Sequence, residues 1–354
     1  MKRPFYLLSI LVLIILVIAC ANNEPKTDKK NLTSSTTTSP QTLGSSPLQQ
    51  YIVGGSATIQ DAKPRQTPAL YETFAGAGWN AGNNSFSKHR PGLNESLPAN
   101  FKFHQMQGPH SFKAESKIVR VGEYSAKLHW KHDNPGQWNF SPEKIDNPDR
   151  KAMFHGPNAS NHVATVWHGF SAYFPSDSTK LSQGQQALFF QVHGARDGKN
   201  EPNRVPPVAL NISSQGFTYS HAWDSTKFST STSGEGQIKY ELPVNIEEYK
   251  DRWVDFVLQL STNPYQPNGF LNIWIDGKQM VNLTNVKIGY NDDKGFYPSF
   301  GWYLWGSNAF RDDDMIMYLD EIRQVEGNDV SYYDVAPGFF QKDTGVLSDR
   351  DHPR

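Results

Sequence analysis

Between residues 101 and 327, hydrophobic and polar positions alternate in short runs separated by turn residues, and the spacing of an amphipathic helix is scarce. Alternation of period two sends successive side chains to opposite faces of a strand. It predicts strands over residues 117–121, 125–130, 165–174, 188–193, 208–213, 253–260, 270–275, 297–305 and 315–325. Asp276-Gly277 after Ile275 is a tight-turn signal that reverses the chain. Several of these strands carry one clearly apolar face: Ala126, Leu128 and Trp130; Val254, Phe256, Leu258 and Leu260; Leu271, Ile273 and Ile275. Such faces bury each other when two antiparallel sheets stack, so the expected fold is all-β, a jelly-roll sandwich of two antiparallel sheets.

Two strands sort their residues in a way that suggests a site. In the first, Leu188, Phe190 and Val192 point one way and Gln191 and His193 the other. In the second, Phe300, Trp302 and Leu304 oppose Tyr297, Ser299, Gly301, Tyr303 and Trp305. If the two polar faces share a groove, it holds an amide, an imidazole and a phenol.

The N-terminus bears on location. Lys2 and Arg3 precede an apolar run from Leu7 to Ala19, broken only by Ser9, and Val17-Ile18-Ala19 leads into Cys20, the sole cysteine. This reads as a lipoprotein signal peptide over residues 1–20 with lipidation at Cys20, and thus an exported, membrane-anchored protein of a bacterial cell envelope. An uncleaved signal anchor is the competing reading. With one cysteine there is neither a disulfide framework nor a thiolate metal site. Residues 21–50 are Ser, Thr, Asn, Lys and Pro with scarcely an apolar side chain, the composition of a disordered tether. Residues 51–100 read as a loop-rich lead-in, 101–327 as one β-domain and 328–354 as a partly ordered tail. The formal net charge of -1 argues against nucleic acid as a partner, while the 13% aromatic content, with Trp 9 and Tyr 15, suits carbohydrate. A monomer is expected.

The groove chemistry suits elimination of a glycosidic bond beside a uronic acid. The sugar carboxylate must be neutralised so that its α-proton becomes acidic, a base must take that proton, and an acid must help the leaving oxygen. Gln191 can bond the carboxylate, His193 has an imidazole of near-neutral reference pKa, and Tyr303 can protonate the leaving oxygen. Gly301 would leave room for a sugar ring. A plainer reading stands beside this one, in which Gln191 and His193 merely cover a sheet and Tyr303 packs against tryptophans.

The motifs favour the first reading. Gln191-Val192-His193 resembles the Gln-x-His strand of the jelly-roll polysaccharide lyases, the concanavalin-like superfamily that holds alginate lyases, glucuronan lyases and heparin lyase I. The segment from Tyr297 to Tyr303 is similar to their Tyr-x-Lys-x-Gly-x-Tyr strand. Residues 121–128, 167–175 and 318–322 resemble, in order, an early strand, the Trp-x-Gly-x-Ser-x-x-x-Pro strand and the closing strand of the heparin lyase I-like group. The resemblance implies a polysaccharide lyase acting by β-elimination on an anionic polysaccharide, with Gln191 as carboxylate neutraliser, His193 as neutraliser or base, and Tyr303 as acid and even base. It also implies two departures: Ala152 where an Arg-x-Glu strand beginning at Arg150 carries glutamate, and Ser299 where the tyrosine strand carries lysine. Arg150, Tyr297 and Trp305 are candidate substrate contacts. The rival class is a non-catalytic carbohydrate-binding lipoprotein on the same scaffold.

Other features have weaker claims. Trp79, Trp138 and Trp223 are further candidates for stacking on sugars. His168 shares a face with Phe170 and Phe174 and reads as a core histidine with a satisfied hydrogen bond. No cofactor or catalytic metal is expected; Asp312, Asp313 and Asp314 offer oxygen ligands for a structural calcium ion, though a solvated loop explains them as well. A retaining glycoside hydrolase would carry Glu-x-Asp-x-x-Glu on one strand face; the sequence contains no Glu-x-Asp, and Asp320-Glu321 is expected to place its carboxylates on opposite faces.

Overall fold

The computed structural model describes residues 101–338, apart from 108, 123, 134–149, 160, 243 and 310, together with three short strands that precede them. The expectations for Cys20, the 21–50 tether, Trp79 and Trp138 lie outside the described residues. The strands begin with β1 (Leu70–Glu72), β2 (Asn80–Ala81), β3 (Glu95–Ser96), β4 (Lys102–Gln105), β5 (Phe112–Glu115) and β6 (Ser125–Trp130). They continue with β7 (Lys151–His155), β8 (Thr165–Tyr173), β9 (Gln186–Gly194), β10 (Val208–Ser213), β11 (Gly216–Asp224) and β12 (Gly236–Glu241). The last are β13 (Trp253–Ser261), β14 (Gly269–Ile275), β15 (Lys278–Val286), β16 (Gly289–Tyr290), β17 (Phe296–Tyr303) and β18 (Met315–Glu326).

These strands build the expected two-sheet, antiparallel-rich sandwich. The first sheet runs β15-β14-β13-β8-β18-β6-β5, with β1 also on β18; the second runs β12-β11-β10-β9-β17-β7-β4, with β16 joined to β11 in parallel. β14 and β15 form the hairpin that Asp276-Gly277 announces, both turn residues having positive φ (49° and 76°) as a two-residue primed turn requires. One expected strand is not formed. Residues 117–121 stay irregular because their polar groups are tied elsewhere: Arg120 and Val121 donate their backbone N–H to Asp320 Oδ2, and Ser125 Oγ donates to the Ile118 carbonyl. The edge strand before them is β5.

The core is a phenylalanine stack between the sheets. Phe170 of β8 lies 5.2 Å from Phe256 of β13 and 5.0 Å from Phe190 of β9 by ring centroids, and Phe189 lies 5.2 Å from Phe256. Each such side chain contributes roughly 1.5–3 kcal/mol of burial. Seating both Phe189 and Phe190 in this layer breaks the alternation of β9. Pairing with β10 jumps from Leu210↔Phe190 to Asn211↔Leu188, so β9 carries a bulge, and both phenylalanines are fully buried in the core. Leu188 is thereby turned away from Phe190 and Val192, contrary to strict alternation, onto the outer face with Met153 and Ala209.

β17 answers with an extra residue of its own, its register to β9 passing from Phe300↔Phe190 to Tyr303↔Leu188. Gly301 sits in this irregularity at φ +115°, and a Cβ there would fall 2.3 Å from the Ala152 carbonyl oxygen. Glycine is thus required by the approach of β7 and the backbone turn, not to clear room for a sugar ring. Phe300, Trp302 and Leu304 face the core as expected.

His168 is in the core, 5.6 Å from the Phe190 ring, but neither of its nitrogens has a hydrogen-bond partner among the described residues. Within the tail expected from residue 328, Val330, Val335 and Ala336 pack on the outer face of the first sheet, and residues beyond 338 lie outside the described residues.

Candidate active site

The outer face of the second sheet is a trough. Cross-strand register aligns His155 of β7, Ser299 of β17, Gln191 of β9, Ala209 of β10, Ser220 of β11 and Lys239 of β12 in one row. A parallel row holds Lys151, Tyr303, Leu188, Asn211, Thr218 and Glu241, and a third brings Tyr297 opposite His193. The floor is buried, while Lys151, His155, His193, Tyr297, Tyr303 and Trp305 are part-exposed around it. The two polar faces read from sequence therefore do share one surface.

Gln191 and Ser299 are cross-strand neighbours, 1% and 0% exposed, and neither the Gln191 amide atoms nor Ser299 Oγ has a hydrogen-bond partner among the described residues. An orphaned buried polar group costs roughly 1–3 kcal/mol, so two side by side on this face leave donors and acceptors open to a partner of matching polarity. His193 Nδ1 lies 2.7 Å from the Gly194 carbonyl oxygen. A carbonyl only accepts, so Nδ1 carries the proton and Nε2 keeps its lone pair in the neutral ring. Burial pushes the His193 pKa down to about 4, aided by the charges of Lys151, Arg204 and Arg196 and opposed by the Gly194 bond. At neutral pH this imidazole is an uncharged base.

Tyr303 has the opposite bias. Burial raises its pKa above the usual phenol value, opposed by the Arg150 charge, so it holds its proton and can give it up to a leaving oxygen. Its ring packs 5.9 Å from Trp305, and Lys151 Nζ sits 4.4 Å from its centroid. Tyr303 touches neither Gln191 nor His193 directly; the three share a face and are separated along the strands. Tyr297 stacks on His193 at 5.5 Å and meets His155 at 4.9 Å, which places it within the site.

Sequence patterning missed Lys151, His155 and Arg196. The Arg-x-Glu match set Ala152 on the site face, yet Ala152 is fully buried in the core and pairs with Trp302. Lys151, Met153 and His155 are the residues of β7 that reach the trough, and none of them is a carboxylate. The lysine absent at Ser299 has a counterpart across the sheet in Lys151, opposite Tyr303. His155 Nδ1 is 3.1 Å from the Gly156 carbonyl oxygen, giving it the same tautomer as His193. Arg196 lies in the loop after β9, where its charge adds to the burial that lowers the His193 pKa and opposes the burial that raises the Tyr297 pKa.

The remaining candidates fall outside the trough. Trp223 continues the core-side series Phe217, Tyr219 and His221, and its ring lies against Gly236. A cavity of about 570 Å³ lined by Gly198, Glu201, Phe228 and Ser229 belongs to the neighbouring loops and contains none of Gln191, His193 and Tyr303. Asp314 bonds His129 and His132 at 2.7 and 2.8 Å, and Asp313 bonds Arg311. His132, Asp133 and Asp314 do converge, but this mixed nitrogen and oxygen set does not match the oxygen-only preference of calcium. Asp320 and Glu321 do not lie on opposite faces: a bulge in β18 leaves both on the outer side of the first sheet, between the core residues Leu319 and Ile322. There they bond Arg120, and no hydrolase pair is formed.

The outer face of the second sheet thus holds an unpartnered amide, a neutral imidazole and a protonated phenol together. The polysaccharide lyase family model matches residues 96–323, and the chain belongs to that family. The crystal structure of endo-β-1,4-glucuronan lyase from the fungus Trichoderma reesei shares the fold, with a TM-score of 0.55 at 16% identity over 77% of this chain and 99% of that one. The PL-14 alginate lyase from Aplysia kurodai gives a TM-score of 0.45 at 12% identity over 74% of this chain and 100% of its own. No curated protein matches the chain.

Proposed function

We propose that this lyase cleaves a uronate-containing polysaccharide by β-elimination at the trough between β7 and β10. The observation that carries the reading is the orphaned Gln191 and Ser299 pair beside a neutral His193. Gln191 and Ser299 hydrogen-bond the uronate carboxylate, which lowers the cost of the carbanion-like charge that develops when the α-proton leaves. His193 Nε2 takes that proton. Tyr303 Oη donates its proton to the glycosidic oxygen as the carbon–oxygen bond breaks and the carbon–carbon double bond forms. The phenolate regains a proton from water and His193 releases one, so the cycle closes without a redox partner. Lys151, Arg150 and Arg196 give the trough the positive charge that suits a polyanion.

The test is a panel of glucuronan, alginate, heparin and neutral glycans incubated with a chain lacking residues 1–50. Ultraviolet-absorbing unsaturated ends are expected from at least one uronate polymer and from no neutral one. Binding without product would favour the non-catalytic reading. We further propose that Cys20 carries a lipid anchor, supported by Val17-Ile18-Ala19-Cys20 after an apolar run. Cys20→Ala is expected to move the protein out of the membrane fraction, and unchanged fractionation would oppose the anchor.

A further inference from the structure

The far side of the trough, over β10, β11 and β12, has no part in the chemistry above, yet it is polar where the outer face of a sheet at this depth is usually capped by apolar or paired groups. Asn211 is 3% exposed; its Nδ2 donates to Thr218 Oγ1 at 3.1 Å, and its Oδ1 has no partner among the described residues. Thr218 and Ser220, 1% and 4% exposed, complete a floor of hydroxyls. Lys239 projects over this floor from β12, because its Nζ donates to Gln186 Oε1 at the start of β9 and so reaches back across β11 and β10. Among the described residues that amide is its hydrogen-bond partner, and no carboxylate forms an ion pair with it; Glu241, on the same face two residues along, acts only at a distance. An ammonium held over a recessed polar floor, tied to a neutral amide, is poised to exchange that amide for an anion.

Resting on the uronate reading of the site, we propose that Lys239, with Asn211, Thr218 and Ser220, forms an outlying subsite that binds the carboxylate and hydroxyls of a second uronate residue, next along the chain from the sugar at Gln191. Lys239 pairs with the carboxylate. Asn211 Oδ1 accepts from a sugar hydroxyl, its amide orientation fixed by Thr218. Burial also lowers the Lys239 pKa, as expected of a cation lacking a counter-charge.

The experiment measures kcat and KM on oligouronates of increasing length for the wild-type chain, Lys239→Gln, Lys239→Arg and the surface control Lys113→Gln. In Lys239→Gln, KM should rise about ten-fold on long oligomers, a penalty that shrinks as the oligomer shortens and that added salt reduces. Lys239→Arg should recover most of the affinity, and Lys113→Gln should match the wild type. An active wild type with length-independent KM in Lys239→Gln overturns the subsite while leaving the lyase reading intact. A wild type inactive on every uronate polymer overturns the lyase reading itself.

Discussion

The outer faces of the two sheets treat buried polar groups in opposite ways. On the first sheet, Arg120 bonds Asp255 at 2.8 Å and Glu321 at 3.3 Å, Arg323 bonds Glu321 at 2.7 Å, and Glu321 also accepts the Gly338 N–H at 2.9 Å. Asp320 accepts three backbone N–H groups, from Arg120, Val121 and Glu321. Each of these carboxylates is matched, and the network holds the irregular 117–121 segment and the C-terminal segment onto the sheet. On the second sheet, Gln191, Ser299 and Asn211 are as deeply buried but keep unpartnered atoms. Unpartnered atoms alone do not mark function, since core His168 also has them; what sets Gln191 and Ser299 apart is that they lie side by side on the face that carries His193 and Tyr303. A matched network stabilises, and an unmatched group on the site face, left at a cost of about 1–3 kcal/mol, is open to a ligand's hydrogen bond.

Substitutions on the two faces should therefore separate activity from stability. The largest effect is expected for His193→Ala and Tyr303→Phe, each lowering kcat by roughly 10²–10⁴-fold with an unchanged thermal melt. Next comes Glu321→Gln, which removes the buried charge facing Arg120 and Arg323 and should destabilise by about 3–5 kcal/mol in denaturant titration while the activity per folded molecule stays at the wild-type level. Gln191→Leu should lower kcat/KM by about ten- to a hundred-fold yet hold or raise stability by about 1 kcal/mol, because an orphaned amide is replaced by an apolar side chain. The reverse pattern, a loss of stability with activity retained, would show that Gln191 is part of the scaffold.

The smallest effect is a separation in pH. His168 and His221 are buried and neutral, their pKa values held down to about 3 and about 4 by burial. A folded-state pKa below the unfolded value near 6.5 means that the unfolded chain binds protons first, so stability is full above pH 6.5 and declines as pH falls toward 3. His193, at about 4, keeps its lone pair over most of that window. Melting temperature should begin to fall below pH 6.5, while kcat/KM per folded molecule holds to about pH 5 and drops only near 4. Parallel loss of both from pH 6.5 would mean that the catalytic imidazole titrates normally.

Much of this was legible in the chain, and what was hidden has identifiable causes. Strands such as β10 and β13 alternate with turn residues at their ends, and they appear where alternation sets them. The bulge in β9 was not legible: alternation assigns Leu188 to the core, and only the packing of Phe189 and Phe190 into one layer shows that an extra residue flips it. The same limit hid the bulge at Asp320-Glu321. Alternation did not show β7, which only the resemblance placed, because Met153 is apolar on the outer face and Lys-Ala-Met-Phe-His lacks a clean period; the resemblance then set the wrong residues outward, and Lys151 and His155 were missed. β12 does alternate, Gln237, Lys239 and Glu241 against Ile238 and Tyr240, and reading it would have put a lysine on the site face. Gln191, His193 and Tyr303 were reached because their strands keep period two locally and their motifs are short.

The most direct test compares the two faces in one assay: the rate of unsaturated-product release from a uronate polymer by the wild type, His193→Ala and Glu321→Gln, each corrected for the folded fraction. The account predicts background release for His193→Ala and wild-type release for Glu321→Gln. Product from His193→Ala at the wild-type rate, or its selective loss in Glu321→Gln, would contradict the assignment of chemistry to the unsatisfied face.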